Sequence, residues 1–412
     1  MLVRHLSLTN FRLYARLELD LPRGLTIILG DNAQGKTSLL EGIYFLATAH
    51  SPHTHADRQI IRWGAADDEP YPHAALKAQL ERIGRDGQPR ASTLEIVVQK
   101  GELNRLKKEI RIDRVGGKRN IDLVGQLNVV LFLPGDVELV SGAPALRREF
   151  LDAALSQIDP DYVRAYDAYE KALAQRNALL KQAFDRKLDP DELEIWNDQL
   201  VPAGVQIALI RRKAIADLSR LATPIHHELS NAAEYLQIVY QPSFDPAAPA
   251  TLNTRFQLEL EMAAPPNGID KAALERAFRN ALAERQREEM TRGITLVGPH
   301  RDEMRFLANG MDLGEYGSRG QQRTSVLALK LAQVAWTRER TGQEPVLLLD
   351  EVLAELDPHR RRCLLARIGG SHQTLVTTTD LNRFDAEFVR AAQVLQVRAG
   401  IVAAWRGGDT AT

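Results

Sequence analysis

The sequence of 412 residues predicts an α/β fold, a mixed sheet with an antiparallel β subdomain, into which a mainly helical arm is inserted. Three observations carry this. Over residues 25–46 an apolar run, a glycine-containing loop and a helical pattern follow one another. Between about residues 71 and 134, short alternating runs are separated by turn-rich stretches, as in an antiparallel meander. From Pro144 the chain turns to Ala, Leu, Glu, Lys and Arg at helical spacing, and after Ile294 strand and helix patterns alternate again, which implies a mainly parallel sheet covered on both faces.

The elements follow in order. Leu17, Leu19 and Leu21 alternate with Arg16, Glu18 and Asp20, the pattern of a half-buried strand, and a turn at residues 22–24 leads into a buried strand at 25–29. Leu39, Leu40, Ile43, Tyr44 and Leu46 then recur at helical spacing. Turns are expected at 84–89 and 116–117. Helices are expected over 146–155, 162–184 and 193–229, punctuated by Pro160, Pro190, Pro202 and Pro224, so this section reads as a folded arm and not as an unbroken coiled coil. Prolines 242, 246, 249, 265 and 266 mark loops around one strand-like run at 256–260. The last section reads as a strand at 295–297, a helix at 321–337, a strand at 346–349, a helix near 358–368 and a strand at 374–376. Together these give a head from residues 1–145 and 288–412 and an arm from 146–287.

Composition excludes several classes. With 44% apolar and 26% charged residues the chain is that of an ordinary globular protein. No apolar run approaches the roughly 18 residues of a membrane span, and Arg4, Arg12, Arg16, Glu18 and Asp20 interrupt any signal-peptide core, so a cytoplasmic protein is expected. The single cysteine, Cys363, leaves no internal disulfide and no Cys-rich zinc site. A net charge of -1 means that any polyanion must be met by a local patch.

Gly30-Asp31-Asn32-Ala33-Gln34-Gly35-Lys36-Thr37 matches the phosphate-binding loop G-x-x-x-x-G-K-[ST], with the strand before and helix after that the motif requires. Its glycines let backbone N–H groups turn inward, the helix N-terminus adds a positive dipole end, Lys36 meets the β- and γ-phosphates, and the Thr37 hydroxyl ligates Mg²⁺. A second motif, Val346-Leu347-Leu348-Leu349-Asp350-Glu351, is a buried strand ending in two carboxylates. Asp350 can hold Mg²⁺ through water and Glu351 can orient or deprotonate an attacking water, whereas a pair standing alone could be a solvated acidic turn. In a third, residues 317–323, Ser318 and Gly320 can offer a hydroxyl and backbone amides to an anion, although by itself this pattern also describes an ordinary helix cap.

The phosphate loop, Ser318-Arg319-Gly320-Gln321-Gln322, Leu348-Leu349-Asp350-Glu351 and Ala354-Glu355-Leu356-Asp357 stand in the order of an ABC-type P-loop ATPase head: Walker A, signature, Walker B, D-loop. Asn10-Phe11-Arg12-Leu13-Tyr14, Leu133-Pro134-Gly135-Asp136, Arg147-Arg148-Glu149-Phe150-Leu151-Asp152, Leu296-Val297-Gly298-Pro299-His300-Arg301-Asp302, Gly320-Gln321-Gln322-Arg323-Thr324 and Thr377-Thr378-Thr379-Asp380 narrow the match. Across its whole length the chain resembles the RecF family of bacterial ABC/SMC-like ATPases. The resemblance implies that ATP bound at residues 30–37 of one subunit is capped by Ser318, Gly320 and Gln321 of a second, with Glu351 as catalytic base, Thr37 and Asp350 as Mg²⁺ partners, and Asp357 at the dimer seam. It departs from the pattern at three places. Ala33 replaces a common glycine, Arg319 stands where transporters have glycine, and Glu351 stands where many relatives have a second Asp.

Other signals are weaker. His50, His53 and His55 could be imagined as metal ligands, but they have no cysteine beside them and no evident supporting shell. Arg58 and Arg62 fall in a stretch that resembles the family's post-loop segment, where DNA or nucleotide is met; a solvated loop is the other reading. Arg105, Lys107, Lys108, Arg111, Arg114, Lys118 and Arg119 face only Glu102, Glu109 and Asp113, a local +4 suited to phosphate-backbone contact or simply to a solvated sheet face. Arg211-Arg212-Lys213 and Arg360-Arg361-Arg362 fall in helices whose exposed faces would be charged anyway.

With the nucleotide-binding motifs, the resemblance implies an ATP-dependent DNA-binding protein of recombinational repair, with weak DNA-dependent ATP hydrolysis as a release switch. The resemblance implies an ATP-dependent homodimer, gapped or junction DNA as ligand, recombinase loading, RecO and RecR as partners, and no membrane. A transporter subunit would normally place its two Walker motifs closer than Lys36 and Asp350, here 314 positions apart. An SMC-like structural clamp requires long uninterrupted heptads, and a small-molecule kinase leaves residues 318–322 unexplained.

Overall fold

The computed structural model describes residues 1–54, 56–65, 72–84, 88–100, 106–184, 190–244, 270–368 and 370–405. The strand-like run at 256–260, Arg105, Glu102 and His55 lie outside them. In chain order the strands are β1 (Leu2–Phe11), β2 (Tyr14–Asp20), β3 (Gly24–Leu29), β4 (His73–Ile83), β5 (Pro89–Lys100), β6 (Leu106–Ile112), β7 (Val115–Lys118) and β8 (Val129–Phe132). They continue as β9 (Leu236–Gln241), β10 (Glu303–Ala308), β11 (Met311–Asp312), β12 (Val346–Asp350), β13 (Gln373–Thr378), β14 (Gln393–Arg398) and β15 (Ile401–Ala404). The longer helices are α1 (Lys36–Thr48), α2 (Pro144–Ser156), α3 (Pro160–Gln182), α4 (Pro190–Leu229), α5 (Lys271–Arg292), α6 (Arg319–Thr341) and α7 (Pro358–Ile368). Two compact units result, one of residues 1–136 and 333–412, the other of 137–332. These breaks fall inside the stretches that the sequence assigns to the head.

The first unit holds two six-stranded sheets. One is antiparallel, in the order β2-β1-β4-β5-β6-β7; along β1, Leu6 and Leu8 point to the core while His5, Ser7 and Thr9 face outward with Glu18 and Asp20. The other runs β15-β14-β3-β13-β12-β8 and is parallel except for β15. Helix α1 packs against strands of both sheets, so its apolar residues are buried on more than one side, from Leu39 and Leu40 to Phe45 and Leu46. All five residues of β12 are buried, and each buried leucine there contributes about 1.5–3 kcal/mol. Because β3, β12 and β13 are parallel, their carboxyl ends share one edge, where open α/β sheets bind ligands.

The second unit packs α3 against α4 and carries a three-stranded sheet, β11-β10-β9, not expected from the sequence patterns. Its interior includes buried polar groups: Arg176 (1% exposed) donates to Glu289 (0% exposed) at 2.7 Å, to Asn197 Oδ1 at 2.8 Å and to Thr295 Oγ1 at 2.8 Å.

Three local expectations are corrected. The β6–β7 turn sits at Asp113 and Arg114, both with positive φ (50° and 68°), while Gly116 and Gly117 lie in β7; a two-residue hairpin loop needs two such residues, and Asp takes that conformation more readily than most. Residues 295–297 form no strand: the Thr295 N–H and hydroxyl are both satisfied by Asn177 Oδ1. Pro160 and Pro190 begin helices, but Pro202 and Pro224 lie inside the 40-residue α4. Each removes one helical donor and crowds the carbonyl four residues back, a cost that the buried side chains on either side offset.

Candidate nucleotide-binding site

The loop of residues 30–37 joins β3 to α1, and its shape is held from outside. A Cβ on Gly30 would lie 2.4 Å from the Val397 carbonyl oxygen, so only glycine fits. Gly35 (φ 112°) and Ala33 (φ 62°) both adopt left-handed backbone. The Tyr14 hydroxyl donates to the Gly35 carbonyl at 2.9 Å. The β14–β15 turn clips the other side: the Gly400 N–H donates to the Gln34 carbonyl at 3.0 Å, and the Ala399 N–H donates to Gln34 Oε1 at 2.6 Å.

Lys36 folds back over this loop. Its Nζ donates to the Gly30 and Asp31 carbonyls at 2.8 and 2.9 Å and pairs with Glu351 Oε1 at 2.9 Å, although the lysine is only 4% exposed. Asp350, the last residue of β12, accepts from Thr37 Oγ1 at 2.8 Å through one oxygen and from Thr377 Oγ1 at 2.7 Å through the other. Glu351 is left-handed (φ 50°), and its N–H donates to Thr377 Oγ1 at 2.9 Å. Thr377 thus supports both acids. In sequence it is only part of the run Thr377-Thr378-Thr379-Asp380; its position at the end of β13, between β3 and β12, creates this role.

Lys36, Thr37, Asp350 and Glu351 are therefore brought together as one cation, one hydroxyl and two carboxylates. Among the described residues no group of three or more His, Cys, Asp or Glu could hold a metal. A hydroxyl and one carboxylate oxygen do suit Mg²⁺ completed by phosphate oxygens, the usual way this ion is bound.

Ser318, Gly320 and Gln321 lie in the second unit, at the start of α6. The Gln321 N–H donates to Ser318 Oγ at 3.3 Å and the Ser318 N–H donates to Gln321 Oε1 at 2.8 Å, a reciprocal capping box. Gln321 Nε2 also donates to Glu234 Oε1 at 2.7 Å. Ser318, Arg319 and Gly320 are exposed. Asp357 likewise caps α7, accepting from the His359 and Arg360 N–H groups at 3.0 Å.

The basic residues divide. Lys108 Nζ is occupied by Asp57 at 2.8 Å and the Ala49 carbonyl at 2.6 Å, and sits over the Phe45 ring. Arg111 pairs with Glu109 and Glu95, and Arg62 donates to Asn10 Oδ1 at 3.1 Å. Lys107 and Arg58 are exposed. Trp63, which no sequence motif marks, is 98% exposed and next in the chain to Arg62.

The segments at 147–152 and 298–302 meet as a buried network. Arg211 donates to Asp152 Oδ1 at 2.6 Å, to Tyr162 at 3.0 Å and to the Pro299 carbonyl at 2.7 Å; Arg147 grips both oxygens of Glu303. His300 Nε2 meets the Thr295 carbonyl at 3.0 Å and Nδ1 meets the Tyr169 hydroxyl at 2.6 Å, an arrangement that suits a neutral ring. Burial pushes its pKa down to about 4.

With this geometry in place, the chain compares closely with known proteins. The family model described as RecF/RecN/SMC N terminal domain matches residues 2–402. The DNA replication and repair protein RecF of Chloroflexus aurantiacus is 43% identical over 414 residues, covering 98% of this chain and 99% of that one. That of Bacillus subtilis is 36% identical over 401 residues, with 97% and 99% covered. A solved structure of the recombination mediator protein RecF with ATP, in the RecFOR pathway, superposes with a TM-score of 0.81 at 28% identity, covering 98% of this chain and 97% of that one. Among the described residues no helix is long and apolar enough to cross a membrane.

Proposed function

The chain belongs to the RecF family, and from that premise we propose that it is a cytoplasmic, ATP-dependent DNA-binding protein of replication and recombinational repair. The observation that carries this reading is the meeting of Lys36, Thr37, Asp350 and Glu351 at one sheet edge. Thr37 and Asp350 are the residues that would hold Mg²⁺, which would supply neutralisation of the phosphate charge. The loop N–H groups of residues 30–37 cradle the phosphates. Lys36 exchanges Glu351 for a phosphate oxygen, and Glu351, anchored through its own N–H on Thr377, is left to orient a water and accept its proton.

The turn of Ser318, Gly320 and Gln321, exposed at Ser318 and Gly320, caps ATP bound to a second copy, so ATP favours a closed homodimer and hydrolysis releases it. A closed pair presents a continuous surface to gapped or junction DNA. Lys107 and Arg58 are the exposed cations suited to the phosphate backbone; Lys108, Arg111 and Arg62 reach it only by exchanging their present partners. RecO and RecR are the partners that the RecFOR pathway of the RecF–ATP structure suggests.

The test is fluorescence anisotropy of labelled duplex and gapped DNA with wild type, Lys36→Met and Glu351→Gln, each with and without ATP and Mg²⁺. ATP should tighten binding for wild type, most for Glu351→Gln, and not at all for Lys36→Met. No DNA binding at low salt with ATP would overturn the repair reading, and binding indifferent to ATP would favour a structural clamp.

A further inference from the structure

We propose that Glu234 is a positioning residue for the turn at 318–321, acting through the Gln321 carboxamide; this rests on the reading of that turn as the segment that caps ATP on a second copy. The capping box works in one orientation of the Gln321 amide only. Oε1 must face the Ser318 N–H, 2.8 Å away, because a flipped amide would set two donors against each other. Glu234 decides the orientation. A carboxylate is an acceptor only, and Glu234 Oε1 takes the bond from Gln321 Nε2 at 2.7 Å, a charge-assisted contact. Both ends of the amide are then committed. Ser318 Oγ, in turn, accepts from the Gln321 N–H, so the hydroxyl hydrogen stays available to donate outward to an anion.

A second path leads back to the same residue. The other Glu234 oxygen lies 3.8 Å from Nε2 of the buried His226; that nitrogen is 3.2 Å from Ser325 Oγ, and Ser325 Oγ donates to the Gln321 carbonyl at 2.9 Å. Glu234 is itself fixed: its N–H donates to Ser230 Oγ at 3.2 Å and its carbonyl meets His227 Nδ1 at 3.3 Å. His226 and His227 belong to the last turn of α4, and Glu234 stands between α4 and β9. The end of the longest helix is thereby tied to the turn that presents Ser318.

The experiment uses the full chain with Glu234→Leu, Glu234→Gln, Gln321→Leu and the double variant Glu234→Leu/Gln321→Leu. ATP affinity is measured at protein concentrations where the chain is monomeric, and ATP-dependent self-association by sedimentation. Glu234→Leu should bind ATP as wild type does, which also reports an intact fold, but associate about tenfold more weakly, the loss of one charge-assisted bond. Glu234→Gln keeps a carbonyl acceptor and should restore association. The double variant should be no weaker than Gln321→Leu alone. Wild-type association by Glu234→Leu, or additive losses in the double variant, would overturn the positioning role. If wild type does not associate with ATP, or Ser318→Arg associates as wild type does, the capping reading itself fails and takes this proposal with it.

Discussion

Thr37 Oγ1 donates to Asp350 Oδ2 at 2.8 Å, one hydrogen bond between residues 313 positions apart that ties the first turn of α1 to the end of β12. The other Asp350 oxygen and the Glu351 N–H both depend on the Thr377 hydroxyl. Thr377→Val keeps the shape and removes the hydroxyl, leaving the buried Asp350 oxygen and the partly buried Glu351 N–H without that partner, at a cost of about 1–3 kcal/mol. Calorimetric titration with ATP and Mg²⁺ should show at least a tenfold weaker affinity for Thr377→Val and near-wild-type affinity for Thr377→Ser. Equal affinities for all three would remove Thr377 from the site.

Ala33 adopts φ 62° where a glycine is common. The left-handed conformation costs a residue with a Cβ about 1–2 kcal/mol, and the greater freedom of glycine in the unfolded chain takes back about 0.5–1 kcal/mol. Ala33→Gly should therefore raise the ligand-free Tm, by up to about 2 °C. A fall in Tm would mean that the Ala33 methyl makes a stabilising contact that offsets the strain.

His300 gives a pH dependence of defined sign. Burial, with Arg301, Arg148 and Arg176 nearby, holds its folded pKa at about 4, against the usual 6.5. Above pH 6.5 both folded and unfolded chains carry the neutral ring, and the stability it contributes is fully present. As pH falls from 6.5 to about 4 only the unfolded chain takes up the proton, so stability declines by on the order of 3 kcal/mol. Denaturant unfolding of wild type and His300→Gln at pH 7 and pH 5 should show a smaller acid loss in the variant. An equal loss would assign the effect to other groups.

Arg176 and Glu289 form a pair with almost no solvent access. Arg176→Met strands a buried carboxylate and should destabilise by about 3–5 kcal/mol, whereas Arg176→Met/Glu289→Leu removes both charges and should recover much of that. Urea denaturation measures both. A double variant as unstable as the single one would show that Asn197, Thr295 and the Leu296 N–H, not the ion pair, govern this interior.

The phosphate loop, the acidic end of β12, the meander and the helical section are legible in the sequence, because each is written in spacings of a few residues: a G-K-T after an apolar run, an alternation of two, a period of 3.6. What those pieces touch depends on packing between distant elements. Thr377 became a support for both acids because β13 lies between β3 and β12. Gln34 meets the β14–β15 turn across 365 positions, and Glu234 meets Gln321 across 87. Lys108 reads in sequence as a surface cation and is in fact held by Asp57 and the Ala49 carbonyl. Pro202 and Pro224 read as breaks, yet α4 runs through both because side-chain burial along it exceeds the loss of two hydrogen bonds. A short-range pattern constrains backbone geometry; hydrogen-bond partners and burial depend on how distant elements pack, and no local period encodes that.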